Sequence, residues 1–496
     1  MKIRLFFLCM LAFFGCSISM NAQRTNWEKL LQDLNSSAKD NGREISVVLR
    51  RPGELAKKLT PDDCERLGYL RVTGGMNKND LILLTELAKR KQTMNRQGKM
   101  VPARIDFDLL NAYIVDESAS LFSVKEITVM PDIFRNCTGL RSVILPSNLV
   151  AVGKYAFYGC KNLEYVYIPD NVTAIENNAF EGATNLYNVD IPDGVEYIGS
   201  YAFSRCNELA RFYMPSAIRQ IGNSAFSYTS IKDVRLPEGL ETIGSNAFAS
   251  THIEEIEIPS TVVEMDYTSL ASNYLMNIYV NEANGKYSDI DGVLFNKDAS
   301  ILLYLPLKRT GTYSVPNQTQ CIGPRAFAYS KVQEVLLPEG CDRICEEAFY
   351  SSTITRMSLP NSITKIEKKT FEECSSLVEV ELPQSLQSID DEAFRGCKAL
   401  EDISIPGTVT NIGKEAFRAC FAFKQIEIPA SVKNIGEKAF YYCKNADRII
   451  MHSTVPPLTK KPSNYEKKVI LAVPSESVAA YKRAAGWSDI RNIIAE

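Results

Sequence analysis

Residues 400–422 read Leu-Glu-Asp-Ile-Ser-Ile-Pro-Gly-Thr-Val-Thr-Asn-Ile-Gly-Lys-Glu-Ala-Phe-Arg-Ala-Cys-Phe-Ala. The same order of residue types begins 23 residues earlier at Leu377 and 23 residues later at Phe423. Anchored on the Phe that most copies carry after Ala, the pattern recurs at Phe134, Phe157, Phe180, Phe203, Phe226, Phe248, Phe327, Phe349, Phe371, Phe394, Phe417 and Phe440. Leu270 stands in for one further anchor, and the steps are 22 or 23 residues except the 57 residues from Leu270 to Phe327.

The unit opens with Leu-x-x-Val-x-Ile-Pro, as in Leu163–Pro169, Leu186–Pro192 and Leu377–Pro383. Its apolar positions alternate with polar ones, the period of a strand with one buried face. Pro then ends the strand, because it brings no N–H to a ladder. An apolar pair three apart follows, such as Val409 and Ile412, and then Ala-Phe and a loop to the next Leu. Copies of 22 residues shorten that loop: Leu400 lies six residues after Phe394, but Ile231 lies five after Phe226. No copy can bury its apolar residues alone, so stacking must join them into one core, with the Phe column at its middle. A period of 22–23 residues is that of a leucine-rich repeat. The fold class predicted is an α/β repeat solenoid: a right-handed leucine-rich-repeat superhelix with one strand and a short 3₁₀ or irregular turn per 22–23-residue repeat.

The consensus Ile-Pro-x-x-Val-x-x-Ile-Gly-x-x-Ala-Phe-x-x-Cys-x-x-Leu resembles the BspA-type leucine-rich repeat of bacterial surface proteins, over roughly residues 68–450. Gly53-Glu-Leu55, Leu70-Arg-Val-Thr-Gly74 and Asn79-Asp80 resemble that family's leader as it occurs in Bacteroides-like bacteria, and Val473-Pro474, Tyr481 and Trp487-Ser-Asp489 resemble its usual ending. The resemblance implies a secreted or surface-bound protein that binds host or neighbour macromolecules, without catalysis.

In chain order, residues 1–22 read as an export signal, with basic Met1-Lys-Ile-Arg4, an apolar run from Leu5 to Ile18 too short to span a bilayer, and Ala22-Gln23 as the cleavage point. The alternative is a lipid anchor at Cys16, which follows Gly15. No other segment is apolar and long enough to cross a membrane. Residues 23–67 are the expected N-terminal cap: an amphipathic helix over Trp27–Leu34, a strand at Ile45–Leu49, and helical pieces around Thr60-Pro61. The array is expected over 68–450, with first strands at Leu70–Thr73 and Ile105–Phe107, and between them a helix capped by Asn79 that buries Leu81, Leu84, Leu87 and Ala88. A hairpin insertion at about 281–315, from Gly292–Asn296 and Ile301–Pro306, divides the array into two blocks. Residues 451–496 form the expected C-terminal cap, with a last strand at Val469–Val473, a short helix over Ser475–Gly486 placing Val478 and Tyr481 inward, and Trp487 covering the end of the core.

Little in the composition points to chemistry. The 56 Lys and Arg balance 59 Asp and Glu, with no basic block for nucleic acid. There are two histidines, His252 and His452, and no Cys-x-x-Cys, phosphate loop or nucleophile elbow. No cofactor, metal or enzymatic activity is expected. Asp289-Ile-Asp-Gly292 admits calcium but reads as a turn. Seven cysteines share one repeat position, Cys137, Cys160, Cys206, Cys374, Cys397, Cys420 and Cys443. Neighbours in one column point the same way, a poor geometry for bridging, so they read as buried thiols; Cys341 and Cys345, at the repeat's Val and Gly, read as core or turn. The 22-residue copies are expected to delete the cysteine site.

What specificity the repeat carries must lie on strand positions three and five, which alternate outward. They read Tyr165 and Tyr167, Asn188 and Asp190, Arg211 and Tyr213, Asp233 and Arg235, then Glu255 and Glu257; later copies give Glu379, Glu381, Asp402 and Glu427. Exposed Tyr beside Arg and Asn is the composition of binding surfaces, though Tyr is also a good exposed strand residue. The expected partner is a protein, such as host extracellular matrix, bound on this strand face; the alternatives are a glycan, or an envelope scaffold without tight ligand.

Overall fold

The computed structural model describes residues 42–95, 97–116, 125–460 and 469–496. The leader, Cys16, Ala22-Gln23 and the Trp27–Leu34 helix lie outside the described residues. The chain forms two compact units, one ending at Ile218 and one running Arg219–Glu496.

In the first unit, Arg43–Val48, Leu67–Met76, Ile105–Asp108, Leu140–Ile144, Tyr165–Tyr167 and Asn188–Asp190 pair in parallel, in chain order. The register keeps equivalent residues side by side, so Val143, Val166 and Val189 align. Leu140, Val143, Leu163, Val166 and Leu186 are buried, as the alternation predicts. A second parallel ladder comes from the apolar pair after Pro: Val129–Met130, Ala151–Val152, Ala174–Ile175 and Tyr197–Ile198. The sequence predicts one strand per repeat; this second, two-residue strand is an addition. A third set of bonds runs through the anchors, the N–H of Phe157 donating to the Ala179 carbonyl (2.7 Å) and that of Phe180 to Ala202 (2.8 Å). Each rung is thus bonded to the next along three sides, which satisfies backbone groups without the long helices of an α/β repeat.

The Phe column stacks as expected. Successive rings from Phe134 to Phe203 lie 5.1–5.5 Å apart at 20° or less. In the second unit the spacing is 4.8–5.5 Å from Phe327 to Phe440. These anchors are buried.

Near the chain's start, helices cover Leu55–Lys58, Pro61–Glu65 and Lys78–Ala88. Leu81, Leu84, Leu87 and Ala88 are buried as predicted, but the helix begins earlier than expected. Its N-cap is Asn77, not Asn79: Asn77 accepts from the N–H of Asn79 and Asp80, and the Asp80 carboxylate accepts the N–H of Asn77 at 3.0 Å. The other acceptances of Asp80, from Gly53 (2.6 Å) and Leu55 (2.9 Å), explain the choice, because one buried carboxylate serves two segments at once.

In the second unit the first ladder is Glu255–Ile258 with Asn277–Val280, resumed by Thr310–Ser314, Lys331–Leu336, Arg356–Ser358 and Glu379–Glu381. The expected hairpin is present and gains a third strand, Tyr287–Ile290 pairing antiparallel with Val293–Asn296, which pairs antiparallel with Ile301–Tyr304. Asp291 and Gly292 make its turn with φ of 50° and 73°, the form that Asp-Gly favours. Asp289 accepts the Val280 N–H at 2.8 Å. Ile301–Tyr304 then pairs in parallel with Cys321–Ile322, taking the place of a second-ladder strand. The N–H of Leu305 donates to the carbonyl of Ala326, the residue before Phe327, as those of Phe327 and Phe394 donate to Ala348 and Ala416 before the next anchors. Leu305 is therefore the anchor missing from the 57-residue step, and it stands 22 residues before Phe327. At the chain's end Ile470–Val473 is not the last strand, because Asn492–Ala495 pairs onto it. Tyr481 and Trp487 are buried, donating to the carbonyls of Ser453 (2.9 Å) and Pro457 (2.8 Å).

From Phe157 on, each rung with a Phe anchor turns its corner with two residues at positive φ, one two before Phe and one two after. Tyr155, Tyr201, Arg205, Tyr228, Tyr329 and Tyr442 all sit near φ 60°. Gly is the easy residue there. At Gly396, φ 76°, a Cβ would lie 2.6 Å from the Glu373 carboxylate.

All eleven described cysteines are free thiols. Those of the repeat column are more than filler: Cys160, Cys206, Cys374, Cys397, Cys420 and Cys443 each donate S–H to the carbonyl of the anchor one rung back, at 2.8–3.3 Å. The sequence reading expects the shorter copies to delete this site, but they keep it. Thr229 and Thr251 occupy it, buried, and donate to Phe226 (2.9 Å) and Phe248 (2.8 Å), and Ser330 and Ser352 stand there too. The residue lost lies later in the loop. Burial pushes the Cys374 and Cys443 thiols up to about 12, where the nucleophilic thiolate is scarce. The column thiols should therefore resist alkylation in the native protein and react fully in denaturant without reductant. Mass spectrometry of alkylated peptides checks this, and two or more column cysteines still blocked in denaturant would contradict it.

Candidate binding face

Outward positions recur in both units, but they are not uniformly open, and at Arg211–Tyr213, Asp233–Arg235 and Asp402 the rung carries no ladder strand. In the first unit the register sets Tyr69, Asp106, Ser142, Tyr165 and Asn188 in one column and Arg71, Asp108, Ile144, Tyr167 and Asp190 in the next. Tyr165 is the correction: only 3% exposed, it is not a surface anchor. Its hydroxyl donates to Asp190 at 3.2 Å, and burial pushes both the phenol and the Asp190 carboxyl up. Tyr167, Asn188 and Asp190 are half-buried.

Toward the chain's start this face closes into a polar network. The Arg141 guanidinium clasps Asp106 with Nε at 2.8 Å and with Nη2 on the other oxygen, and Ser142 donates to the same carboxylate at 2.7 Å. Asp106 and Arg141 are both buried. Burial pushes the Asp106 carboxyl up against the opposing pull of Arg141 and Ser142. Asp108 takes Tyr69 (3.0 Å) and Arg71 (2.8 Å) in the same way. Sequence reasoning missed this network because its residues occupy nominally outward positions in degenerate copies, where alternation does not tell a solvated residue from a covered one.

The face opens at Arg211 and Tyr213, both exposed, Tyr213 at 69%. In the second unit Asp233, Arg235, Glu255 and Glu257 are exposed, and Glu255 accepts from Asn277 at 2.8 Å. Glu379, Glu381, Asp402 and Glu427 are exposed as expected. Glu334, Arg356 and Glu379 align in register, with Arg356 3.7 Å from Glu379. His452 lies 4.0 Å from Glu427. From Glu379 to Glu427 the face is therefore mainly acidic, bordered by Arg356 on one side and Arg448, the register partner of Gln425, on the other.

A second exposed surface runs along the anchor turns. Arg135 lies 5.0 Å from the rings of both Tyr155 and Tyr158. In the other unit Tyr329 meets Tyr350 edge-on at 5.5 Å beside Arg325, and Arg418 lies 5.7 and 5.9 Å from Tyr441 and Tyr442. Such cation–π groupings contribute about 0.5–1 kcal/mol each at exposed sites. The recurrence of Tyr one or two residues from the Phe anchor is legible in the sequence; the corner that presents it is not.

Among the described residues no group of three or more His, Cys, Asp or Glu is arranged to hold a metal ion, and no helix is long and apolar enough to cross a membrane. The chain matches the family model described as the BspA type leucine rich repeat region, at residues 122–230, 150–277, 209–301, 309–421 and 364–461. Among solved structures it is similar to a leucine rich cell surface protein from Faecalibacterium prausnitzii, at 26% identity and a TM-score of 0.53, covering 73% of this chain and 92% of that one. A leucine-rich repeat protein from Bacteroides ovatus aligns at 20% identity and a TM-score of 0.47, over 77% of this chain and 98% of its own. The pneumococcal vaccine antigen PcpA aligns at 22% identity and a TM-score of 0.46, over 72% and 79%. No curated protein matches the chain.

Proposed function

Because the chain belongs to the BspA-type leucine-rich-repeat family, we propose that it is an exported surface protein that binds a macromolecular partner, a host protein such as extracellular matrix, through the open part of its strand face. The observation that carries this reading is the exposure of Arg211 and Tyr213, which stand at outward positions of their rung, beyond the last ladder strand Asn188–Asp190, and which its core does not need. Arg and Tyr are the residues most often found to dominate interface energetics. In the second unit the acidic series Glu379, Glu381, Asp402 and Glu427 offers selection by charge of its own, which acts chiefly on association rate and partner choice. The cell-surface description of the Faecalibacterium relative supports an exported protein. In this reading residues 1–22 direct export, with release after Ala22 or anchorage at Cys16. Segments 23–67 and 451–496 close the ends of the array at 68–450.

The test is a screen of the mature chain, immobilised, against matrix proteins in parallel with a glycan array. Saturable capture of a protein is the expected result. Capture of glycans alone would replace this reading with carbohydrate binding, for which the Tyr155 and Tyr329 turns offer stacking surfaces. Capture of neither would leave a scaffold without tight ligand.

A further inference from the structure

One pair of cysteines differs from all the others. Cys321, half-buried in the strand Cys321–Ile322, and Cys345, directly after the strand Arg343–Ile344, lie on adjacent rungs with their sulfurs 3.6 Å apart. The backbone holds them there: Ile322 pairs with Ile344, and the Cys345 N–H donates to the Ile322 carbonyl at 2.9 Å. Every column thiol from Cys160 to Cys443 points at a carbonyl; here each sulfur faces another sulfur. The position of Cys345 is a Gly in other copies, Gly199, Gly244, Gly413 and Gly436 among them, so the rung needs no side chain there for its core. Cys341, the nearest alternative on the same rung, turns away and contacts the Arg343 carbonyl at 3.7 Å.

We propose that Cys321 and Cys345 form a cross-rung disulfide when the protein meets a small disulfide oxidant, leaving the buried cysteine column reduced. The Cys345 thiolate attacks one sulfur of the oxidant, forming a mixed disulfide and releasing one small thiol. Cys321, deprotonated, then attacks the Cys345 sulfur; the new S–S bond forms as the second small thiol leaves. Two protein thiols and one oxidant disulfide become one protein disulfide and two small thiols, so the two electrons pass to the oxidant's S–S bond. The S–H of Cys321 facing Cys345, with Arg343 nearby, holds the Cys345 thiol below its ordinary range, which favours Cys345 as the attacking group. Bond closure brings the sulfurs from 3.6 Å to about 2.05 Å; Cys345 lies two residues past Arg343, the register partner of Cys321, so closure draws the rung corner in as well as rotating both side chains.

The full chain, first reduced and freed of reductant, is treated with oxidised glutathione, alkylated without reduction and cleaved with trypsin. Arg325, Arg343 and Arg356 place Cys321, Cys341 and Cys345 on separate peptides, 310–325, 332–343 and 344–356. The expected product is 310–325 joined to 344–356, with two thiols lost to alkylation. Cys345→Ser should abolish it, and Cys341→Ser should leave it intact, with circular dichroism confirming that both variants fold. The proposal is overturned if both cysteines stay alkylatable under oxidant, if 344–356 joins 332–343 instead, or if only glutathione adducts form.

Discussion

Phe394→Ala is expected to destabilise the protein by about 3–5 kcal/mol, the usual cost of emptying an aromatic site in a core. Phe394 lies 5.1 Å from the Phe371 ring and 5.2 Å from Phe417, nearly parallel to both, so its removal strips a stacking partner from two rungs as well as opening a cavity. A repeat array passes such a fault to its neighbours because each rung's core is completed by the next. Urea melts should show the midpoint falling and the second unit unfolding first. An unchanged midpoint would mean that the anchor column does not carry the stability assigned to it.

Arg141→Met should have a cost of similar size, about 3–5 kcal/mol, for a different reason: it leaves the buried Asp106 carboxylate without its counter-charge. Arg141 and Asp106 are both under 5% exposed, and Ser142 alone would remain on the carboxylate from the group that now holds it. Pairing Arg141→Met with Asp106→Leu should recover most of the loss, since replacing a buried ion pair by apolar residues is often close to neutral. A denaturant series on the wild type, the single and the double variant tests this. A single variant as stable as the wild type, or a double variant less stable than the single, would contradict it.

The repeat made the core legible. Leu163, Val166, Phe180 and their equivalents could be placed by counting, because a fixed period leaves one register that buries every apolar residue. Counting failed where a rung keeps its geometry but changes its letters. Leu305 serves as an anchor without the Ala-Phe signal, because the antiparallel strands before it displace the usual residues. Thr229 and Thr251 fill the cysteine site because a hydroxyl also donates to a nearby carbonyl. On the candidate face the alternation found which side chains leave the core, not which reach water. Tyr165 and Tyr213 obey the same sequence rule, yet the first leans on Asp190 under cover and the second stands clear.

The most direct test of binding through the open strand face is the affinity of the captured matrix protein for three forms of the chain. These are the wild type, Arg211→Ala with Tyr213→Ala, and a control with Asp170→Ala and Asp193→Ala at exposed turns just after Pro169 and Pro192. Surface changes of this kind usually move stability by less than about 0.5 kcal/mol, whereas a dominant interface residue is worth about 2 kcal/mol or more. The strand-face variant should therefore lose affinity by at least about thirty-fold with its urea midpoint unchanged, and the control should bind as the wild type does. Full affinity in the strand-face variant, or an equal loss in the control, would contradict the account.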